Sequence, residues 1–439
     1  MNMRFSVFSI SFLLIADIFS FADLSGENLK DVDLNKAGSQ YLAYPVNSEN
    51  APILSPNPEG YYPFHMEHYG RHGSRWRLKE KDYEEAYSHF LKAEEQGKLT
   101  PKGKEVALIL KTLKEDSKKK TGELTELGHR QHRQIARRMA ENYPELFTDS
   151  TLVDAKSTVI IRCILSMANE VAELQSLFPN MPIKMDASYS TWDILAYNSH
   201  DTVAKKLSRM ARDTVKSYSA SLPQPVAFYK KLFKDMSFLP DSVSETTVFE
   251  DVFDIAINMQ SHDSYPILDD IFTPEEIYNE WLARNADWYI SAGNTSLTLN
   301  RVPYNQRFLL RNIIESADTA ILSGKKSVNL RFGHESILLP LAVLMELDNA
   351  AYETTDLSTL AQHWRNYEIF PMASNIQMVF YRPFSEISPT QENVLVKVTL
   401  NEREVPLPVE PVEGFYYRWK DLREFYINKL ESFNLKFKE

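Results

Sequence analysis

Residues Tyr61 to Tyr69 read as a β-strand, and the chain then turns through Tyr69-Gly70-Arg71-His72-Gly73-Ser74-Arg75-Trp76. No other segment constrains the fold as tightly. Open α/β sheets gather their ligand-binding turns at the carboxyl ends of strands, and this turn carries two arginines around a histidine. Guanidinium forks stay charged at any working pH and match tetrahedral oxyanions. An imidazole can serve as nucleophile, base or acid near neutrality. The cluster suits a phosphate held against an imidazole nitrogen.

Charge narrows the partners. The 439-residue chain has a formal net charge of -11, which disfavours nucleic acid and anionic membrane surfaces. An anionic small molecule must therefore be drawn in by a local basic pocket. Residues 1–22 read as a secretory signal peptide: Arg4 supplies the n-region charge, Phe5 to Phe19 the apolar run, and Ser20-Phe21-Ala22 the cleavage site. The mature chain is expected to start at Asp23, in a bacterial periplasm or at the cell surface. Cys163 is the only cysteine, so a monomer forms no internal disulfide, and it is expected to be a small buried apolar residue. No later segment is long and apolar enough to span a bilayer.

The remaining patterns give an α/β core sheet flanked by helices, built from residues 23–187 and 324–439. A mostly helical insertion over residues 188–323 is expected to cap the active site. Thr125 to Tyr143 reads as a helix with Thr125 as N-cap, and His129 to Arg138 as its solvated face. Leu152 to Thr158 reads as a strand leading to a helix that ends near Phe178. Ile161, Ile164, Leu165, Ala168 and Val171 fall at helical spacing and form its expected apolar face, leaving Arg162 in the first turn, off that stripe. Thr273-Pro274-Glu275-Glu276 is a capping-box helix start. Strand signals return at Ser327 to Phe332 and Ile376 to Tyr381, and a hairpin turns near Asn401-Glu402. Lys118 to Lys120 reads as a solvated loop, and Trp192, Trp281 and Trp288 as core residues.

The second half of the site is Arg331-Phe332-Gly333-His334-Glu335-Ser336, again a strand end followed by a helix. It adds a carboxyl group. Breaking a phosphomonoester needs a nucleophile, charge at the phosphoryl oxygens and a proton for the leaving oxygen. The residues divide accordingly: His72 attacks, Arg71, Arg75, Arg162 and His334 hold the oxygens, and Glu335 protonates the leaving alcohol. No cofactor is required. For metals, His65 and His68 point to opposite faces of a strand, and His129 and His132 sit beside Arg130 and Arg133.

In motif order the chain resembles the clade-2 histidine phosphatases, the acid phosphatase and phytase branch, and within it the multiple inositol polyphosphate phosphatases. The resemblance rests on Arg71-His72-Gly73-Ser74-Arg75, Leu124-Thr125-Glu126-Leu127-Gly128, Ser157-Thr158 with Arg162-Cys163 and Ser166, Phe332-Gly333-His334-Glu335 with Leu338-Leu339-Pro340-Leu341, Ala373-Ser374-Asn375 and Leu400-Asn401-Glu402. It implies phytate or related inositol polyphosphates as substrates. One motif departs: that family typically has His-Ala-Glu where this chain has His334-Glu335-Ser336, which puts Glu335 at the Asp of His-Asp enzymes. Two other readings fit the same residues, a broad acid phosphatase acting on sugar phosphates and a phospho-ligand binding protein without turnover.

Overall fold

The strands β1 (Tyr61–Arg71), β2 (Leu152–Ser157), β3 (Ile183–Asp186), β4 (Ser327–Gly333), β5 (Asn375–Pro383), β6 (Leu395–Leu400), β7 (Arg403–Glu404) and β8 (Tyr417–Arg418) form one sheet in a computed structural model that describes residues 32–47, 52–195, 201–384 and 388–437. The expected leader, residues 1–22, lies outside the described residues. The strand order is β3-β2-β4-β1-β5-β6-β7, with β8 paired to β6. β1, β2, β3 and β4 run parallel, whereas β5 and β6 form an antiparallel continuation. β1 is buried from Pro63 to Arg71, as expected for a central strand covered on both faces.

This topology gathers the motifs. The carboxyl ends of β1, β2 and β4 emerge on one side, and antiparallel β5 begins there at Asn375. The backbone locks the ends together: Arg71 N–H donates to the Ser374 carbonyl at 2.8 Å, His72 N–H to that of Gly333 at 3.1 Å and Ala373 N–H to that of His72 at 3.0 Å. The β6–β7 hairpin turns on Asn401 and Glu402, both at positive φ, the backbone of a two-residue type I′ turn.

The helix Glu126–Asn142 starts where expected, with the Thr125 hydroxyl accepting from Gly128 N–H. Its polar face is solvated only in part: Arg130 and Arg133 are exposed, but much of the rest turns inward. Gln131, His132 and Arg138 are buried; His132 Nδ1 lies 2.8 Å from Glu170 Oε1, and Arg138 donates twice to the Glu402 carboxylate, at 2.9 and 2.7 Å. Burial of these groups is tolerated because each finds a partner. The helix Ile161–Leu177 is rotated from the expected stripe: Cys163, Met167, Glu170, Val171 and Leu174 are buried and Ile161 is exposed. Val171 of that stripe is buried and Ile164, Leu165 and Ala168 partly so, but Glu170 is polar yet faces inward, so an apolar count placed the stripe off the true centre.

Between β3 and β4 every described regular element is helical. These helices do not form their core alone. Phe90 of the helix Glu80–Glu95 and Leu110 of the helix Pro101–Asp116 share a cluster with Phe228, Phe249, Phe253 and Trp281 from helices within 226–292. The capping box at Thr273 and Glu276 is formed as the sequence predicts.

Candidate active site

Arg71, His72, Arg75, Arg162, His334 and Glu335 come together at the strand ends. The His72 turn sits directly on the helix Glu126–Asn142. A Cβ on Gly73 would lie 2.6 Å from the Gly128 carbonyl oxygen, and one on Gly128 would lie 2.2 Å from that of Ser74; only glycine at both positions allows this contact. Gln131 Oε1 accepts from Ser74 N–H at 2.8 Å, and Ser166 Oγ accepts from Gly73 N–H at 3.2 Å.

Within that frame His72 is fully buried. Its Nδ1 lies 3.0 Å from the Gly73 carbonyl oxygen. A carbonyl only accepts, so this contact assigns the proton to Nδ1 and leaves the Nε2 lone pair free. Nε2 is 3.4 Å from Glu335 Oε2. Burial pushes the imidazole pKa well below its usual value; Arg71 and Arg75 push the same way, against the opposing pull of Glu335. The ring is therefore neutral at physiological pH.

Arg71 is braced by backbone carbonyls. Its Nη1 donates to Gln40 at 2.6 Å and to Phe370 at 2.9 Å, and its Nε donates to Glu335 Oε2 at 3.1 Å. Its Nη2, buried, has no partner among the described residues. Arg75 stacks over the Tyr41 ring at 5.2 Å and donates to the Trp76 carbonyl. Arg162 reaches from the first turn of its helix to within 3.4 Å of His334 Nδ1. The His334 ring meets His72 edge-on at 5.7 Å between centroids, and burial lowers its pKa to about 4. For Glu335, burial alone would raise the pKa, but Arg71 and then His72 outweigh it and hold the carboxyl well below the usual range. The free site thus pairs an ionised carboxylate with Arg71.

Three residues stand out beyond the sequence-predicted set. The Cys163 thiol is buried as expected, with its pKa pushed up to about 12 by burial, yet it lies 3.7 Å from His334 Nε2 and donates to the Gly333 carbonyl. Tyr41 carries no motif, and only the fold brings it under Arg75. Trp192 is not a core residue: it lines a cleft of about 240 Å³ with Arg162, His334, Glu335 and Ser336.

The sequence pattern of the histidine phosphatase superfamily (branch 2) matches residues 70–401. The chain belongs to that family. As a branch 2 histidine phosphatase it is a phosphomonoester hydrolase. Among solved structures it is similar to the multiple inositol polyphosphate phosphatase of Bifidobacterium longum in complex with inositol hexasulfate, at 17% identity and a TM-score of 0.68, covering 89% of this chain and 97% of that one. It is also similar to the phytase from D. castellii (14% identity, TM-score 0.64, 92% of this chain and 87% of that one) and, less closely, to Hafnia alvei phytase (11% identity, TM-score 0.51, 86% and 99%). At these identities the likeness is one of fold. No sequence among curated proteins matches.

His72, His334 and Glu335 of this branch 2 phosphatase also place one potential metal-ligand atom each within 4.8 Å of one another. Their charge environment opposes a cation, because Arg71, Arg75 and Arg162 surround the trio and Arg71 already neutralises the only carboxylate. The same guanidinium groups favour an anion. No described helix is long and apolar enough to cross a membrane.

Proposed function

We propose that this chain hydrolyses inositol polyphosphates such as phytate, outside the cytoplasm, through a phosphohistidine on His72 with Glu335 as proton donor. The observation that carries this reading is the free Nε2 of a buried neutral imidazole, facing a carboxylate inside a ring of guanidinium groups. The inositol ligand named for the Bifidobacterium longum relative supports the substrate class. The leader at residues 1–22 supports export, which predicts a mature protein beginning at Asp23.

The geometry supports the following division of the chemistry. Phosphoryl oxygens take over the Arg71 fork from Glu335, and the unpartnered Nη2 of Arg71 and Nε of Arg75 and Arg162 offer further donors. Glu335, ionised in the free site, takes up the proton that a phosphomonoester monoanion carries below its second pKa of about 6. Nε2 then forms a bond to phosphorus as the P–O bond to the leaving group breaks, and Glu335 passes its proton to that oxygen. In the second half, a water oxygen bonds to phosphorus, the P–N bond breaks, and the carboxylate takes the water's proton. Phosphate leaves with the proton that Glu335 took from water, so the carboxylate returns to its ionised form and His72 to its neutral one.

Phosphate release from phytate, measured with isomers resolved and compared for the intact protein and His72→Ala, tests the reading. Release that disappears in the variant supports it. Comparable turnover of glucose phosphates and phytate would favour the broad phosphatase, and ligand binding with no turnover in the intact protein would favour the binding protein.

A further inference from the structure

The short helix Trp192–Leu195 is tied to the active site at both ends. On one side, the Thr191 hydroxyl donates to the Ser157 carbonyl at the end of β2, at 3.3 Å. On the other, Tyr69 Oη donates to the Leu195 carbonyl at 3.2 Å and accepts from His334 N–H at 3.3 Å. The fit is tight: a Cβ on Gly333 would lie 2.1 Å from Tyr69 Oη and 3.2 Å from the Leu195 carbonyl oxygen. Trp192, the first residue of this tethered helix, is therefore held in place beside Glu335 rather than left as a loose surface aromatic.

We propose that Trp192, with Ile160 in the same cleft, forms the wall against which the leaving group packs, and that it selects phosphomonoesters of single-ring alcohols such as cyclitols and sugars. This deepens the phosphatase reading and rests on it. The leaving oxygen must lie next to the proton donor, so the body of the leaving group must occupy the cleft that Glu335 opens into. That cleft, at about 240 Å³, is smaller than the roughly 300–1,000 Å³ of ordinary ligand pockets, which suits one ring. Its lining mixes an indole and isoleucines with Arg162 as the one permanently charged cation, and the exposed Ser336 stands at its mouth. A cyclitol or sugar ring offers an apolar C–H face to an indole. Phosphates on the rest of the ring then face Arg162 and solvent. Tyr189, 77% exposed, lies 6.2 Å from Trp192 between ring centroids and extends the aromatic rim outward.

The test uses the full chain and the variants Trp192→Ala and Trp192→Phe. Steady-state rates are measured on an inositol phosphate and on glycerol phosphate, which lacks a ring, with inorganic phosphate as inhibitor. Trp192→Ala should raise KM for the ring substrate about tenfold with kcat within about twofold, while KM for glycerol phosphate and inhibition by phosphate stay unchanged; Trp192→Phe should restore most of the loss. An equal loss on both substrates, or no change on either, would overturn the proposal. Calorimetric binding of inositol hexasulfate to intact protein and Trp192→Ala reads the same wall without turnover. An intact protein that binds this ligand about tenfold more tightly than the variant, yet hydrolyses no phosphomonoester, would leave the wall standing and remove the reading beneath it; equal binding would remove the wall.

Discussion

The two sides of the active site are built differently. The proposed phosphate side, from Arg71 to Arg75, is fixed largely by main chain: strand pairing on both edges of β1, two carbonyls on Arg71 and the Gly73–Gly128 contact, with Gln131 and Ser166 adding side-chain bonds. The leaving-group side, from His334 to Ser336 and across to Trp192, is held by side chains and is open to solvent, with the Glu335 side chain 18% exposed. Backbone bracing suits a nucleophile and guanidinium groups that must be in place before the substrate arrives. The open side suits the role proposed for Glu335, a carboxylate that exchanges Arg71 for a proton and then parts with that proton.

Substitutions should separate the two sides. The largest effect belongs to His72→Ala, which removes the proposed nucleophile and should lower kcat on the order of 10⁴-fold on every substrate in a phosphate-release assay. Arg71→Ala comes next, with a loss of about 10²–10³-fold. It also frees Glu335, whose pKa should rise toward the ordinary carboxyl range, a shift that NMR titration of the carboxyl would register. Glu335→Gln should depend on the leaving group: a loss of about 10²-fold or more on alkyl phosphates, and much less on p-nitrophenyl phosphate, whose phenolate departs without a proton. Equal losses on both would take the proton-donor role away from Glu335.

The smallest effects lie in pH. With the substrate monoanion supplying the proton, kcat/KM should fall as pH rises above about 6, and a profile that is flat from pH 5 to 8 would contradict this. Stability should move the other way. His68, His132, His262 and His334 are held to about 4, 3, 4 and 4, chiefly by burial. Below the ordinary histidine pKa of about 6.5 the unfolded chain binds protons that the folded chain refuses, so stability falls as pH drops from 6.5 toward 4. Glu170, raised to about 7 by burial, opposes this, because its folded form holds a proton the unfolded form releases. His72 acts with these four histidines and Glu250 with Glu170, so the lowered histidines outnumber the raised carboxyls and leave a net loss of stability toward acid, visible as a falling Tm.

Much of the phosphate side was legible in the sequence because its chemistry is contiguous. Arg71, His72 and Arg75 share one turn, and the strand before them says where that turn goes. His334 and Glu335 repeat the arrangement at β4. What stayed hidden depends on partners far along the chain. Arg138 looked solvated because Glu402, its partner, lies 264 residues away, and the inward place of Glu170 rests on His132, on another helix. Gln40 contributes a carbonyl to Arg71, and a carbonyl has no side-chain signature. Trp192 looked like core because an indole is apolar; its place at the cleft comes from hydrogen bonds made by Thr191 and Leu195, its neighbours.

The central claim is a covalent intermediate on His72. Rapid mixing with a phosphomonoester labelled in the phosphoryl group, quenched in alkali and digested, reads it directly. The account predicts label on the peptide containing His72, stable to alkali and lost in acid, and none in His72→Ala. Label on another residue, or full turnover with no labelled protein at any mixing time while His72→Ala retains activity, would contradict it.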